Sequence, residues 1–185
     1  MTDYFSLFDL PRRPLLDAGK LNDGFARKNA GNQAAKRGEA VVLNEAFRVL
    51  SDTVSRLEHL LVLESMSLRG RVISPEVEQW FGKVAEALHR FDEVYYQLAQ
   101  ESLHLLRAAK LQLLQENLAV VEELSAGLEG LRDSLEQRLR QIDERWPDNR
   151  AEALPRLGQL TLDLRFAQKW INELKERKLR FDELQ

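Results

Sequence analysis

Two Glu-x-x-His pairs, Glu86/His89 and Glu101/His104, are the residues whose types and spacing come closest to chemistry in this sequence. On facing helices of a bundle, such pairs hold two metal ions between them, as in di-iron carboxylate proteins. The two histidines here are fifteen residues apart, with no turn signal from Val94 to Leu98. On one helix that separation is roughly 22 Å along the axis, too far to share a metal. Neither a metal site nor a cofactor is expected, and the pairs read as surface or interface residues.

Other chemistries are poorly served. The chain has no cysteine, which excludes disulfides, zinc ribbons and thiolate-held iron–sulfur clusters as properties of the chain itself. Its serines fall on helix surfaces or caps, without the glycine-rich elbow that exposes a nucleophile. Gly127 and Gly130 lack both a following Lys-Ser/Thr and a preceding strand, so they do not form a phosphate loop. The sequence does not read as an enzyme.

Charge offers a recognition feature instead. The net charge is −3, yet between Pro11 and Gly38 seven basic residues, among them Arg27, Lys28, Lys36 and Arg37, face only Asp17 and Asp23. Such a patch attracts an acidic protein surface or a phosphate backbone, or is simply a solvated loop.

The elements that must position these residues are helical. Proline and glycine are sparse and Leu, Ala, Glu, Arg and Gln abundant, which favours helix by intrinsic propensity. The chain divides near Arg69 to Pro75, where Gly70 and Ser74-Pro75 interrupt two helical patterns. Before that point, Tyr4, Phe5, Leu7, Phe8 and Leu10 form an apolar opening, and Asp17 caps a short helix carrying Leu21 and Phe25 on one face. A stronger helix is expected from about Gly38 to Ser67, burying Val42, Ala46, Val49 and Leu50 before a break at Asp52, and Leu57, Leu60, Leu61 and Leu63 after it.

Beyond the division, Ser74 is expected to cap a helix with Pro75 in its first position, followed by Trp80, Phe81, Val84, Leu88, Phe91, Tyr95 and Leu98. Its turn back is expected at Gln115-Glu116-Asn117, or otherwise between Ser125 and Gly130. Leu124, Leu128, Leu131, Leu135, Leu139 and Ile142 supply a second helix, ended by Trp146-Pro147-Asp148-Asn149. The last helix has a seam of Leu157, Leu160, Leu164, Ala167, Ile171, Leu174 and Phe181, and a second stripe of Leu162, Phe166 and Trp170. Two apolar faces suit a three-helix bundle. The aromatic residues Trp80, Phe81, Tyr95, Tyr96, Phe166 and Trp170 read mostly as bundle core, with an exposed pair such as Phe81 and Phe166 as the candidate anchor for a partner. No segment reaches the ~18 apolar residues that span a bilayer, and the start, Met1-Thr2-Asp3-Tyr4-Phe5, has no basic leader, so a cytoplasmic location is expected.

Several stretches resemble the HscB family, the J-domain co-chaperones of iron–sulfur cluster assembly. Asp3-Tyr4-Phe5-Ser6-Leu7-Phe8-Asp9-Leu10-Pro11 is similar to the family's opening. Leu43 to Leu63, with Asn44-Glu45-Ala46-Phe47, Arg56 and Leu60-Leu61, is similar to its third J helix and the connection that follows. Trp80-Phe81 through Phe91-Asp92-Glu93-Val94 resembles the first helix of the family's C-terminal bundle, and Leu164-Arg165-Phe166-Ala167-Gln168-Lys169 the last. The resemblance implies an all-α protein: a small J-like domain over residues 1–70, then an elongated three-helix bundle over 75–185. The interval from Asp92 to Arg165 is longer than the family's.

In that family the J domain engages a DnaK-type chaperone, HscA, and the bundle holds the scaffold protein IscU. By register, the resemblance places the partner-binding positions at Phe81, Gly82, Ala85, Glu86, His89, Glu93 and Phe166. Of these, Phe81, Glu86, Glu93 and Phe166 keep the family's chemical type, whereas Gly82, Ala85 and His89 do not. The His-Pro-Asp trigger is missing. None of His59, His89 and His104 precedes Pro-Asp, and Gln33-Ala34-Ala35 stand where the tripeptide belongs. The expectation is a degenerate J-like domain whose basic patch gives at most electrostatic encounter with a chaperone, and a bundle that binds an IscU-like scaffold or another client. No nucleic-acid or membrane partner is expected. The alternative is a helical adaptor that self-associates through its long hairpin.

Overall fold

In a computed structural model, which describes residues 2–31 and 37–184, with side chains over 2–30 and 38–184, the protein is all-α. Among the described residues there are seven helices and no strand: α1 (Tyr4–Leu7), α2 (Ala18–Gly31), α3 (Arg37–Ser51), α4 (Thr53–Leu63), α5 (Pro75–Gln100), α6 (His104–Arg145) and α7 (Arg150–Asp182). No helix of the described residues is long and apolar enough to cross a membrane. Packing divides the chain into two compact units. Unit 1 is Met1–Arg71 with Glu136–Leu162, and unit 2 is Val72–Leu135 with Asp163–Gln185.

Unit 1 is organised around the apolar opening. Asp3 caps α1 by accepting the N–H groups of Phe5 and Ser6, and Phe5 and Phe8 are fully buried. Asp17 accepts the Lys20 N–H at the start of α2. Helix α2 comes so close to the first segment that a Cβ on Gly24 would lie 3.1 Å from both Phe8 Cβ and the Phe8 carbonyl oxygen. Phe25 then holds α2 to α3, its ring 4.4 Å from Phe47.

Asp52 accepts the Ser55 N–H and is the N-cap of α4, so the expected long helix from Gly38 is two helices with a capped joint between them. Leu43 rather than Val42 faces the core. The core set of α3 is Leu43, Ala46 and Leu50, while Val42 is exposed and Val49 half-buried. Ala46 and Leu50 are buried as expected, and the stripe begins one residue later, because the adjacent apolar pair Val42-Leu43 offers two equally good starts to a three-four pattern.

Two buried polar groups tie the irregular segment of unit 1 to its helices. Arg56 donates to the carbonyls of Pro14 and Leu50 at 3.0 and 2.7 Å, and burial lowers its pKa. Asp143, near the end of α6, receives Arg13 Nη2 at 2.6 Å and the Leu15 N–H at 3.0 Å. Next to it, the buried Trp146 donates its indole N–H to the Arg12 carbonyl.

Unit 2 is a three-helix bundle. Val77, Val84, Phe91 and Leu98 from α5, Leu114, Val121, Leu128 and Leu135 from α6, and Leu164, Ala167, Ile171, Leu174 and Phe181 from α7 are all buried. Arg177 of α7 grips both oxygens of Asp92 on α5, and Lys175 and Lys178 pair with Glu129 and Glu122 on α6.

The turn between α5 and α6 lies at Glu101-Ser102-Leu103, so both expected positions for it are corrected. Gln115-Glu116-Asn117 is mid-helix, and so is Ser125 to Gly130. Gly127 serves packing instead, because a Cβ there would overlap the Trp80 ring. The Glu101 carboxylate makes the reversal, accepting the Leu103 N–H at 3.1 Å and Lys110 Nζ at 2.8 Å. Ser74 is the N-cap of α5 but makes no side-chain cap bond; its own N–H instead donates to Asp163 at 2.9 Å.

Candidate partner-binding face

Helix α5 presents one outward face. Steps of one, three and four residues carry it through Phe81, Gly82, Ala85, Glu86, His89 and Glu93, and all six are exposed. Phe81, 59% exposed, sets its ring against Trp170 of α7 with centroids 6.3 Å apart and planes at 62°. Phe166, one turn earlier on α7 and half-buried, contacts the same indole at 5.7 Å. Trp170 itself is buried. It supports two aromatic rings from two helices, and both leave area open to solvent.

The rim of this face is mainly polar. Glu86 pairs with Arg90 one turn on, at 2.5 Å, and Glu93 accepts a long bond from Gln97. Gly82 leaves a gap, since a Cβ there would meet nothing within 4 Å. Beneath the far end, Arg177 donates to both oxygens of Asp92, joining α7 to α5, and this hydrogen bond is the main cause of a raised Arg177 pKa.

Tyr96 belongs to the same face and was placed with the core in the sequence reading. It is 67% exposed and completes a seven-residue repeat with Gly82 and His89. That repeat was the available signal.

The basic patch is only partly described. Arg27 is exposed on α2, Lys28 pairs with Asp9 at 3.4 Å, and Arg37 is the first residue of α3. Lys36 and the substituted tripeptide Gln33, Ala34 and Ala35 lie outside the described residues. The two Glu-x-x-His pairs do not share one helix, which corrects the premise used for their separation: Glu86 and His89 are on α5, Glu101 is in the turn, and His104 opens α6. Among the described residues no three His, Cys, Asp or Glu side chains gather as a metal site.

No protein-family model matches the chain. In fold it is similar to the chaperone HscB from Vibrio cholerae, with a TM-score of 0.59 and 18% identity over 97% of this chain and 99% of that one. Likeness at that identity defines a class of architecture, an HscB-like helical fold.

Proposed function

We propose that the protein is an HscB-like, non-enzymatic protein-binding factor of the cytoplasm, which holds an IscU-like scaffold or another client on the outward face of α5 and α7. The anchors are Phe81 and Phe166 on their Trp170 support. Glu86, His89 and Glu93 rim them, Gly82 and Ala85 are small and exposed between, and Tyr96 extends the face. The observation that carries this reading is the exposure of the two phenylalanine rings. Phe81 is mostly exposed and Phe166 half-buried, and aromatic anchors inside a polar rim are how binding energy concentrates at interfaces.

The same reading makes the N-terminal helices a J-like domain without a trigger. Gln33, Ala34 and Ala35 supply no imidazole and no carboxylate, so the domain cannot bond a chaperone through those groups. The basic patch of Arg27, Lys28, Lys36 and Arg37 is left to steer an acidic chaperone surface, and steering alone changes encounter rates rather than turnover. The test is an ATPase assay of a DnaK-type chaperone with and without the full chain, alongside pull-down of an IscU-type scaffold. Basal ATP hydrolysis together with scaffold capture that Phe81→Ala sharply weakens is expected. Strong ATPase stimulation by the intact chain refutes the first half, and capture indifferent to Phe81→Ala refutes the second.

A further inference from the structure

The first half of α6 carries an apolar stripe that unit 2 leaves open. Leu106, Leu113 and Val120 recur every seven residues, each close to half exposed, with the exposed Ala109 between the first two. Leu105 beside them is 87% exposed. The buried seam of the same helix, Leu114, Val121 and Leu128, has the same repeat one position further on. Helix α6 therefore has two parallel stripes, one used inside the bundle and one presented outward.

Charge along this segment is divided by sign. From His104 to Gln115 the charged residues are Arg107 and Lys110; from Glu116 to Gly130 they are Glu116, Glu122, Glu123 and Glu129. Lys110 is engaged by Glu101, Glu122 by Lys178 and Glu129 by Lys175. Arg107, Glu116 and Glu123 remain, all exposed. Among the described residues, Arg107 donates only to the Leu98 carbonyl and Glu116 accepts only from Gln112.

We propose that this stripe docks a second copy of the chain, with the two α6 helices antiparallel about a two-fold axis near Leu113. That arrangement lays Leu106 of each copy over Val120 of the other and Leu113 over Leu113. It also brings each Arg107 into the partner stretch that carries Glu116 and Glu123. A parallel pair sets Arg107 on Arg107 and glutamate on glutamate, so the charges select the antiparallel one. A two-fold contact of this kind is self-complementary and closes at two chains. The exposed parts of these apolar side chains cover roughly 1,000 Å² over both copies, the low end for a specific interface, so the dimer forms reversibly with concentration. The stripe is on a different helix from Phe81 and Phe166, which makes self-association and client binding separable by mutation.

Sedimentation equilibrium of the full chain across a wide concentration range tests this. The average mass is expected to rise from 21.4 kDa toward twice that value. Leu113→Glu is expected to hold the chain monomeric at every concentration with an unchanged helical circular dichroism spectrum, since Leu113 already meets solvent in the monomer. Arg107→Glu is expected to weaken the dimer about ten-fold by like-charge repulsion. The triple variant Arg107→Glu, Glu116→Lys, Glu123→Lys is expected to restore it. A wild-type chain that stays monomeric overturns the proposal, as does a dimer insensitive to Leu113→Glu or a triple variant no tighter than the single one.

Discussion

The Phe81 ring meets Trp170 edge-on at 6.3 Å, an exposed residue of one helix resting on a buried residue of another. Their roles differ accordingly. Phe81→Ala removes little burial, so it is expected to cost the fold under about 1 kcal/mol while weakening client capture by about 2 kcal/mol, near thirty-fold. Trp170→Ala opens the bundle and is expected to cost roughly 3–5 kcal/mol of stability as well. Chemical denaturation beside calorimetric titration of the client separates the two. Equal stability losses from both variants would contradict this division.

Gly82 lies in the middle of the same face with open space around it. Gly82→Leu adds apolar area there without a clash, and replacing a mid-helix glycine is expected to raise helix stability slightly. If an IscU-type scaffold docks on this face, its dissociation constant is expected to fall about ten- to hundred-fold, in line with burial of one leucine side chain. An unchanged constant in titration calorimetry would mean that the scaffold docks elsewhere.

Asp143 gathers Arg13 and the Leu15 N–H at one buried carboxylate. Asp143→Ala leaves the half-buried Leu15 N–H unpaired and removes the partner of Arg13. With Arg13 partly solvated, the expected loss is roughly 2 kcal/mol in urea denaturation. Asp143→Asn keeps an acceptor for Leu15 and is expected to lose about half as much. A neutral effect of Asp143→Ala would show that the bonds of Arg13 and Leu15 to Asp143 add nothing net to the stability of unit 1.

What could be read in advance follows from how each element is specified. The seam of α7 was legible because Leu157, Leu160, Leu164, Ala167, Ile171, Leu174 and Phe181 keep one period over six turns, and all seven are buried. The α5–α6 reversal was not, because no glycine or proline marks it. It is made by the Glu101 carboxylate bonding Leu103 and Lys110, and a glutamate looks the same in a sequence whether it caps a turn or faces water. Gly127 misled for the converse reason: it is a glycine that lets an indole approach, not one that bends the chain. The outward face of α5 was legible only as a register, and what supports Phe81 and Phe166 became evident once Trp170 was seen beneath both.

His59 gives unit 1 an acid-sensitive joint. Its buried ring stacks on Tyr4 at 4.5 Å, and Nε2 accepts the Tyr4 N–H at 3.1 Å. Burial depresses its pKa and outweighs the opposing pull of Asp3, while Arg12 pushes the same way as burial. Protonation puts a second N–H against the one Tyr4 already donates, so the neutral ring is the form the fold holds. The unfolded chain binds the proton more readily, near pH 6.5, and stability therefore rises with pH through that window. The contribution of His59 is complete above about pH 7 and is expected to be lost as the pH falls through 6.5 toward the depressed folded value. Asp3 acts lower on the scale. Burial raises its pKa, but bonds from Ser6 and Arg12 more than offset this, so its contribution persists down to about pH 4. Urea midpoints between pH 7.5 and 5 are expected to drop for the wild type and to flatten in His59→Gln, which carries no titrating group. An equal slope in both would assign the acid loss to carboxylates instead.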